Sequence, residues 1–227
     1  VYFLKIYKKD LLLKPIIYIS MLLSAFAILI SQTRGSILGF AAGALTLAVY
    51  FIIASSKKPA VKVMLLILIG FLLFGAYAFL KTDIATQIPG INRVAESIQR
   101  GKTQYMTRLI SWGIFWEAIK SKPVTGFGLE NSPDAYYRYF NPGMFKYEEV
   151  IFDRPHNKYL EILVTQGIIG FIFWLIFIIC AFFSLKFVED KYYKGALLSF
   201  LMAYLVQNFT LFDMQASYLL FFFGLAL

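Results

Sequence analysis

The sequence predicts an all-α, polytopic transmembrane helical bundle with one long, partly helical loop on the outer side of the membrane. Three observations carry this. Of 227 residues, 59% are hydrophobic and only 15% are charged, against roughly a quarter charged in an ordinary soluble domain. Apolar runs recur that reach the ~20 residues a helix needs to cross a ~30 Å hydrocarbon core. Only the stretch between Lys81 and Lys158 is both long and polar enough to stay outside them. A water-soluble globule is excluded.

Taken in order, the uncharged stretches are Pro15 to Thr33, Gly35 to Ser56, Val63 to Leu80, Ile162 to Leu185, Gly195 to Phe212 and Met214 to Leu227, six candidate spans. The last is short for a crossing, the first residue is Val and no signal peptide precedes the first span. The sequence therefore reads as a fragment cut at both ends. Lys5, Lys8, Lys9 and Lys14 precede the first span, Lys57, Lys58 and Lys62 join the second to the third, and Lys186, Lys191 and Lys194 follow the fourth. Short lysine-rich loops of this kind face the cytoplasm. Three regions follow: residues 1–80 with three spans and a tight outer turn at Arg34, residues 81–158 as the extracytoplasmic loop with amphipathic helices, and residues 159–227 with three more spans, the last truncated.

The net charge of +9 thus describes topology, and no nucleic-acid partner is expected. The single cysteine, Cys180, lies inside an apolar run and has no disulfide partner. With one histidine, His156, it cannot build a zinc site, and no cluster elsewhere has metal-ligand spacing.

Arginine is distributed unlike lysine. Arg34, Arg93, Arg100, Arg108, Arg138 and Arg154 all fall on the outer side, and none lies in a cytoplasmic loop. If charge alone were needed outside, lysine would serve; arginine adds a planar fork that grips phosphate or carboxylate in a bidentate way. Segregation by chance or by helix packing is the alternative.

Within the outer loop, Tyr105, Leu109, Trp112, Trp116 and Ile119 follow a helical period. They predict an amphipathic helix from about Thr103 to Lys120, lying along the membrane surface. Pro123 ends it, and Gly126-Phe127-Gly128 makes a turn whose glycines read as purely conformational. Ser132-Pro133-Asp134 reads as an N-cap, a proline at N1 and an early acid, opening a short helix with Tyr136, Tyr137 and Arg138. Met144 to Phe152 alternates loosely and is expected to be extended. Pro155 then suits a first helical turn, so the fourth membrane helix is expected to start there with His156 in its first turn at the water boundary. A helix N-terminus attracts anions and keeps a histidine neutral, which suits a general base with Arg154 holding an anionic group. The other reading makes His156 a boundary residue bonded to headgroups. Glu161, five residues on, lies about 140° round such a helix and is not an obvious partner.

Three elements in order now carry a resemblance: Ser31-Gln32-Thr33-Arg34-Gly35-Ser36 between two spans; Arg108 to Trp112 ahead of Pro123-Val124-Thr125-Gly126-Phe127-Gly128; and His156-Asn157-Lys158-Tyr159-Leu160-Glu161 followed by Gly167. With this topology the chain resembles the C-terminal portion of the O-antigen ligase and O-antigen polymerase family. The resemblance implies a GT-C-like bacterial glycosyltransferase in the cytoplasmic (inner) membrane, with its active face extracytoplasmic, serving lipopolysaccharide or other cell-envelope polysaccharide assembly. It implies a glycan donor linked to undecaprenyl pyrophosphate, a glycan, lipid or protein acceptor hydroxyl, and neither a cofactor nor an essential metal. The family's active arginine and histidine fall on Arg34 and His156, and Arg108, Arg154, Asn157 and Glu161 are expected in substrate binding. Family members have more spans, so several N-terminal helices are expected to be missing here.

The chemistry agrees with the bare residues. Arginines neutralise a leaving pyrophosphate and one boundary histidine deprotonates the attacking hydroxyl. The tyrosines of the outer loop (Tyr105, Tyr136, Tyr137, Tyr139, Tyr147) offer sugar contacts, or are simply the aromatics expected at an interface. A transporter or flippase for lipid-linked glycans would also use outer arginines, although it would place charge or helix breaks near mid-membrane. A non-catalytic subunit would not need His156. Ligase, polymerase and protein oligosaccharyltransferase share these motifs and are not separated by them.

Overall fold

The computed structural model describes residues 13–31, 33–55, 57–88, 91–99, 102–147, 151–213 and 215–226. Lys5, Lys8, Lys9, Gln32, Ser56, Arg100, Glu148, Glu149, Met214 and Leu227 lie outside the described residues, as do the side chains of Lys14, Arg93 and Tyr105. Among the described residues the secondary structure is helical, with no strand. The chain divides into two compact units, Val1–Gln99 with Leu185–Tyr204, and Arg100–Ser184 with Leu205–Leu227.

The first unit holds α1 (Leu13–Ile30), α2 (Arg34–Ile53), α3 (Pro59–Leu80), the short α4 (Asp83–Gln87) and α5 (Asn92–Gln99), and most of α9 (Lys191–Asn208). Pro59 opens α3 at a position where its missing N–H costs nothing. No residue of α3 is buried, although the helix is apolar on every side, so lipid is the solvent it suits. On α2, Gly35, Gly39 and Gly43 form a buried stripe at four-residue spacing. A Cβ on Gly43 would stand 3.0 Å from the Ala203 Cβ, and the Ser199 hydroxyl donates to the Gly43 carbonyl at 2.6 Å. Small residues at this spacing let two helices approach backbone to backbone, as membrane helices do.

Among the described residues, three helical stretches are long and apolar enough to cross a membrane: Arg34–Ile53, Pro59–Leu80 and Lys158–Phe187. In α1 the apolar part, Pro15–Ile28, is shorter. The last helix, α10 (Gln215–Ala226), has 12 residues, about 18 Å at 1.5 Å per residue.

The second unit contains α6 (Lys102–Ser121), α7 (Ser132–Arg138), a 3₁₀ turn (Pro142–Lys146), α8 (Lys158–Ser184), the end of α9, and α10. Helix α6 matches the expected element to within about a residue at each end, but its buried face differs. Ser111, Ile114, Phe115, Ala118 and Ile119 point into the core, whereas Leu109 and Trp116 of the expected stripe are exposed. Small Ser111 and Ala118 allow close packing on this side, which a stripe chosen by aromatics overlooks. Around Phe115 gather Phe127, Tyr136, Met144 and Val164, the core of the unit. Burial pushes the Tyr136 hydroxyl above the ordinary tyrosine range, with the Phe152 backbone opposing this in part.

Three further details depart from expectation. The cap of α7 is Asn131, not Ser132, and the Asn131 amide donates to the Phe127 carbonyl at 3.0 Å. Met144 to Phe152 does not open as an extended stretch: Met144 sits in the 3₁₀ turn, held because Asn141 Oδ1 accepts from the Gly143 amide at 2.9 Å. Lastly, α8 begins at Lys158 rather than near Pro155. Asn157 Oδ1 accepts from the Tyr159 and Leu160 amides at 3.0 and 3.2 Å, the work of an N-cap. An asparagine oxygen satisfies orphan amides, and a proline two residues earlier cannot.

Helix α8 is interrupted at Gly167, whose φ is 65° and ψ −166°. The segment after α6 fills the break. Phe127 and Gly128 amides donate to the Val164 and Thr165 carbonyls, both at 2.8 Å, and the Ile168 amide donates to the Pro123 carbonyl at 2.8 Å. A Cβ on Gly126 would lie 2.6 Å from the Thr165 carbonyl carbon, and one on Gly167 2.2 Å from the Val124 oxygen. The Gly126 and Gly167 positions are therefore needed for close backbone approach as well as for conformation. Before the break α8 buries Lys158, Glu161, Ile162, Val164 and Thr165, and after it Ile168, Ile169, Ile172 and Phe173 are exposed.

Candidate functional site

Five of the six residues expected in the site, Arg108, Arg154, His156, Asn157 and Glu161, belong to the second unit. Arg34 belongs to the first. There it is half-buried as the first residue of α2, after a tight turn in which the Thr33 amide donates to Ser31 Oγ at 3.3 Å. A cation at this end opposes the helix dipole, so side chain and helix end concentrate positive charge at one place.

In the second unit, His156 is held by the loop between the core and the Asn157 cap. Its φ of 49° is left-handed, a region histidine enters more readily than most residues. Nδ1 lies 3.0 Å from the Arg154 carbonyl. A carbonyl only accepts, so Nδ1 carries the proton, and in the neutral ring Nε2 is left as the acceptor. Phe152 and Phe212 meet the ring edge-to-face, with centroids at 5.5 and 5.2 Å. Trp112 Nε1 donates to the Pro155 carbonyl at 2.8 Å, tying α6 to this loop.

Arg154 is bound on two sides. Its Nη2 lies 2.6 Å from Glu130 Oε2 and its Nη1 3.0 Å from Glu161 Oε1, while its guanidinium carbon stands 5.0 Å from the Phe212 ring centre. Glu161, which the sequence gives no reason to pair with His156, is therefore joined to Arg154. Its other oxygen faces Lys158 Nζ at 3.6 Å. Lys158 in turn donates to the Tyr218 hydroxyl and lies 3.7 Å from Asp213. Arg108 Nη1 reaches the Thr210 carbonyl at 3.4 Å. Asn157 is buried, its oxygen occupied as the helix cap.

A cleft of about 730 Å³ opens on this network, lined among others by Arg154, Lys158, Glu161 and Asp213. His156 does not line it and meets it through Phe212, whose ring touches both His156 and Arg154. Sequence reasoning missed Glu130, Lys158, Asp213 and Tyr218. The available signal was Asp213, the one charged residue after Lys194, standing between two apolar stretches; a charge in such a place asks for a buried partner. Among the described residues, no group of three or more His, Cys, Asp or Glu is arranged to hold a metal ion.

A family model described as O-antigen ligase matches residues 19–175, more than half the chain. The chain belongs to the O-antigen ligase family. The match runs from within α1 to beyond the Gly167 break, taking in the Arg34 turn and the His156 loop. As an O-antigen ligase family member with three apolar helices of spanning length among the described residues, it is an integral membrane protein with an O-antigen ligase-type glycan-handling function. A comparison with curated proteins finds no match.

Proposed function

We propose that this O-antigen ligase family member transfers a glycan from an undecaprenyl pyrophosphate carrier to an acceptor hydroxyl on the outer face of the bacterial cytoplasmic membrane, as a multi-pass GT-C-like enzyme that needs no metal. The observation that carries this is the setting of His156. With Nδ1–H given to the Arg154 carbonyl at 3.0 Å, Nε2 is the free acceptor of a fixed ring. In the reaction Nε2 takes the proton of the acceptor hydroxyl as its oxygen bonds to the anomeric carbon. The bond from that carbon to the pyrophosphate oxygen breaks, and the carrier pyrophosphate leaves with the electron pair.

Neutralising that leaving group is assigned to Arg34, at the positive end of α2, and to Arg108. Arg154 would meet a phosphate only by exchanging one of its two carboxylates for it, so in this reading its main part is to supply the carbonyl that orients His156. Asn157 acts by capping α8 directly beside His156, and Glu161 by holding Arg154.

A transporter reading would draw on the broken α8, since unwound backbone in a membrane helix commonly coordinates cargo. Here the Val164, Thr165 and Ile168 backbone groups at the break are taken by residues 123–128, which favours transfer over transport.

The test is glycan transfer from a purified undecaprenyl pyrophosphate donor by the full-length protein in reconstituted membranes. His156→Ala is expected to lower transfer by ~10²- to 10⁴-fold with normal membrane insertion. Wild-type turnover would make His156 structural and end this reading.

A further inference from the structure

Lys158, to which the transfer reading gives no part, stands at the centre of the buried network. Its side chain is 7% exposed and that of Asp213 1%. A lysine ammonium offers three donors and no acceptor, and oxygens from three places face it. The Tyr218 hydroxyl on α10 accepts from it, Asp213 Oδ2, ahead of α10, lies at 3.7 Å, and Glu161 Oε2, one turn along α8, lies at 3.6 Å. One buried cation thus ties the first turn of α8 to α10 and to the segment before it.

Both ion pairs lead on to Phe212. Asp213 is its neighbour in the chain. Glu161 holds the Arg154 Nη1 at 3.0 Å, and the Arg154 guanidinium carbon lies over the Phe212 ring, 5.0 Å from its centre. The same ring meets His156 edge-to-face, with centroids 5.2 Å apart. Lys158 therefore reaches the histidine by two routes, one through residues 213 and 212 and one through Glu161 and Arg154, and both arrive at one aromatic ring. Taking its charge away leaves two buried carboxylates with one cation fewer and releases this tie between α8 and the segment that carries Phe212.

We infer that Lys158 is a positioning residue for His156. Its ammonium gathers Asp213 and the Glu161–Arg154 pair at the start of α8, which sets the Phe212 ring against the imidazole and limits where Nε2 can point. The consequence for catalysis rests on the transfer reading above; the link from Lys158 to the imidazole does not.

The chain has one histidine, so ring-labelled histidine in untagged full-length protein gives a single imidazole to follow by NMR in detergent micelles. Phe212→Leu removes the aromatic ring and marks the direction in which the His156 ring protons shift when its ring current is lost. Lys158→Met, unbranched and uncharged, is expected to shift them the same way, and Lys158→Gln, which keeps hydrogen-bond donors, to shift them less. Added to Phe212→Leu, Lys158→Met is expected to produce little further shift, because changes that act through one contact are not additive. Transfer by folded Lys158→Met is expected to lose ~10- to 10²-fold in kcat, the scale of a misplaced reacting group. Wild-type His156 signals in Lys158→Met, or in Lys158→Gln if the methionine variant does not fold, would overturn the inference by showing that the lysine serves stability alone. Equal shifts with and without the Phe212 ring, or an undiminished kcat, would overturn it as well. The spectra are recorded without donor, so they judge the link from Lys158 to the imidazole separately from the transfer reading, which wild-type turnover by His156→Ala would end.

Discussion

Trp112 on α6 and Pro155 in the loop before α8 are joined by one hydrogen bond, the indole N–H to the carbonyl at 2.8 Å. Pro155 is fully buried, so its carbonyl has no water to fall back on. The bond spans 43 residues of sequence and fixes the loop one residue ahead of His156. Removing it should disturb the histidine without touching the imidazole. For Trp112→Phe we expect a stability loss of about 1–3 kcal/mol, the cost of leaving a buried acceptor unmade, and transfer reduced several-fold at matched protein level. Unchanged melting and turnover would show that the loop is held by its other contacts alone.

Gly167 and Gly113 make opposite predictions for the same substitution. At Gly167 the backbone is left-handed and a Cβ would enter the Val124 carbonyl, so Gly167→Ala should cost roughly 2–4 kcal/mol. Gly113 is in the interior of α6, and a Cβ added there would project into open space. Gly113→Ala should stabilise by about 0.5–1 kcal/mol. Thermal unfolding in detergent compares the two, and similar shifts would contradict the docking of residues 123–128 on α8.

At Arg34, charge and geometry can be separated. If the side chain grips pyrophosphate, a lysine keeps the charge and loses the bidentate fork. Each charge-assisted bond lost, worth ~1.5–3 kcal/mol, should lower turnover about 10- to 100-fold, with Arg34→Ala at least as impaired as Arg34→Lys. Equal rates for wild type and both variants would leave Arg108 as the leading anion-binding residue.

Topology is tested by thiol labelling of whole cells in a Cys180→Ala background. Lys57→Cys and Lys186→Cys are expected to be protected from an impermeant reagent, and a cysteine at the exposed Lys120 to react. Labelling of Lys57→Cys from outside would invert the assigned orientation.

The helices were legible because their signals are local. Apolar runs bounded by charged residues mark α1 to α3, and the period of α6 places it from about Thr103 to Lys120, close to the observed Lys102–Ser121. The site was legible only in part, for two physical reasons. Pro155 and Asn157 both signal a helix start, and the sequence does not say which prevails; the asparagine oxygen does, leaving His156 outside the helix. The ion pairs that surround Arg154 and Lys158 join residues as far apart as Glu130 and Asp213, and no local period connects them. Gly126 and Gly167 likewise meet only in the folded unit, so the reason both must lack a side chain cannot be read from either.

The left-handed backbone at residue 156 acts as a filter on mutation, separate from any filter on chemistry. Glycine, asparagine and aspartate adopt φ near +50° at least cost, whereas β-branched residues are strongly disfavoured there. A saturation library at this position, sorted for membrane insertion alone, is therefore expected to keep Gly, Asn and Asp beside His and to deplete Val and Ile. Sorted for transfer, the same library should collapse to histidine. The gap between the two surviving sets measures how much of the demand on residue 156 comes from the shape of the chain and how much from the ring it carries.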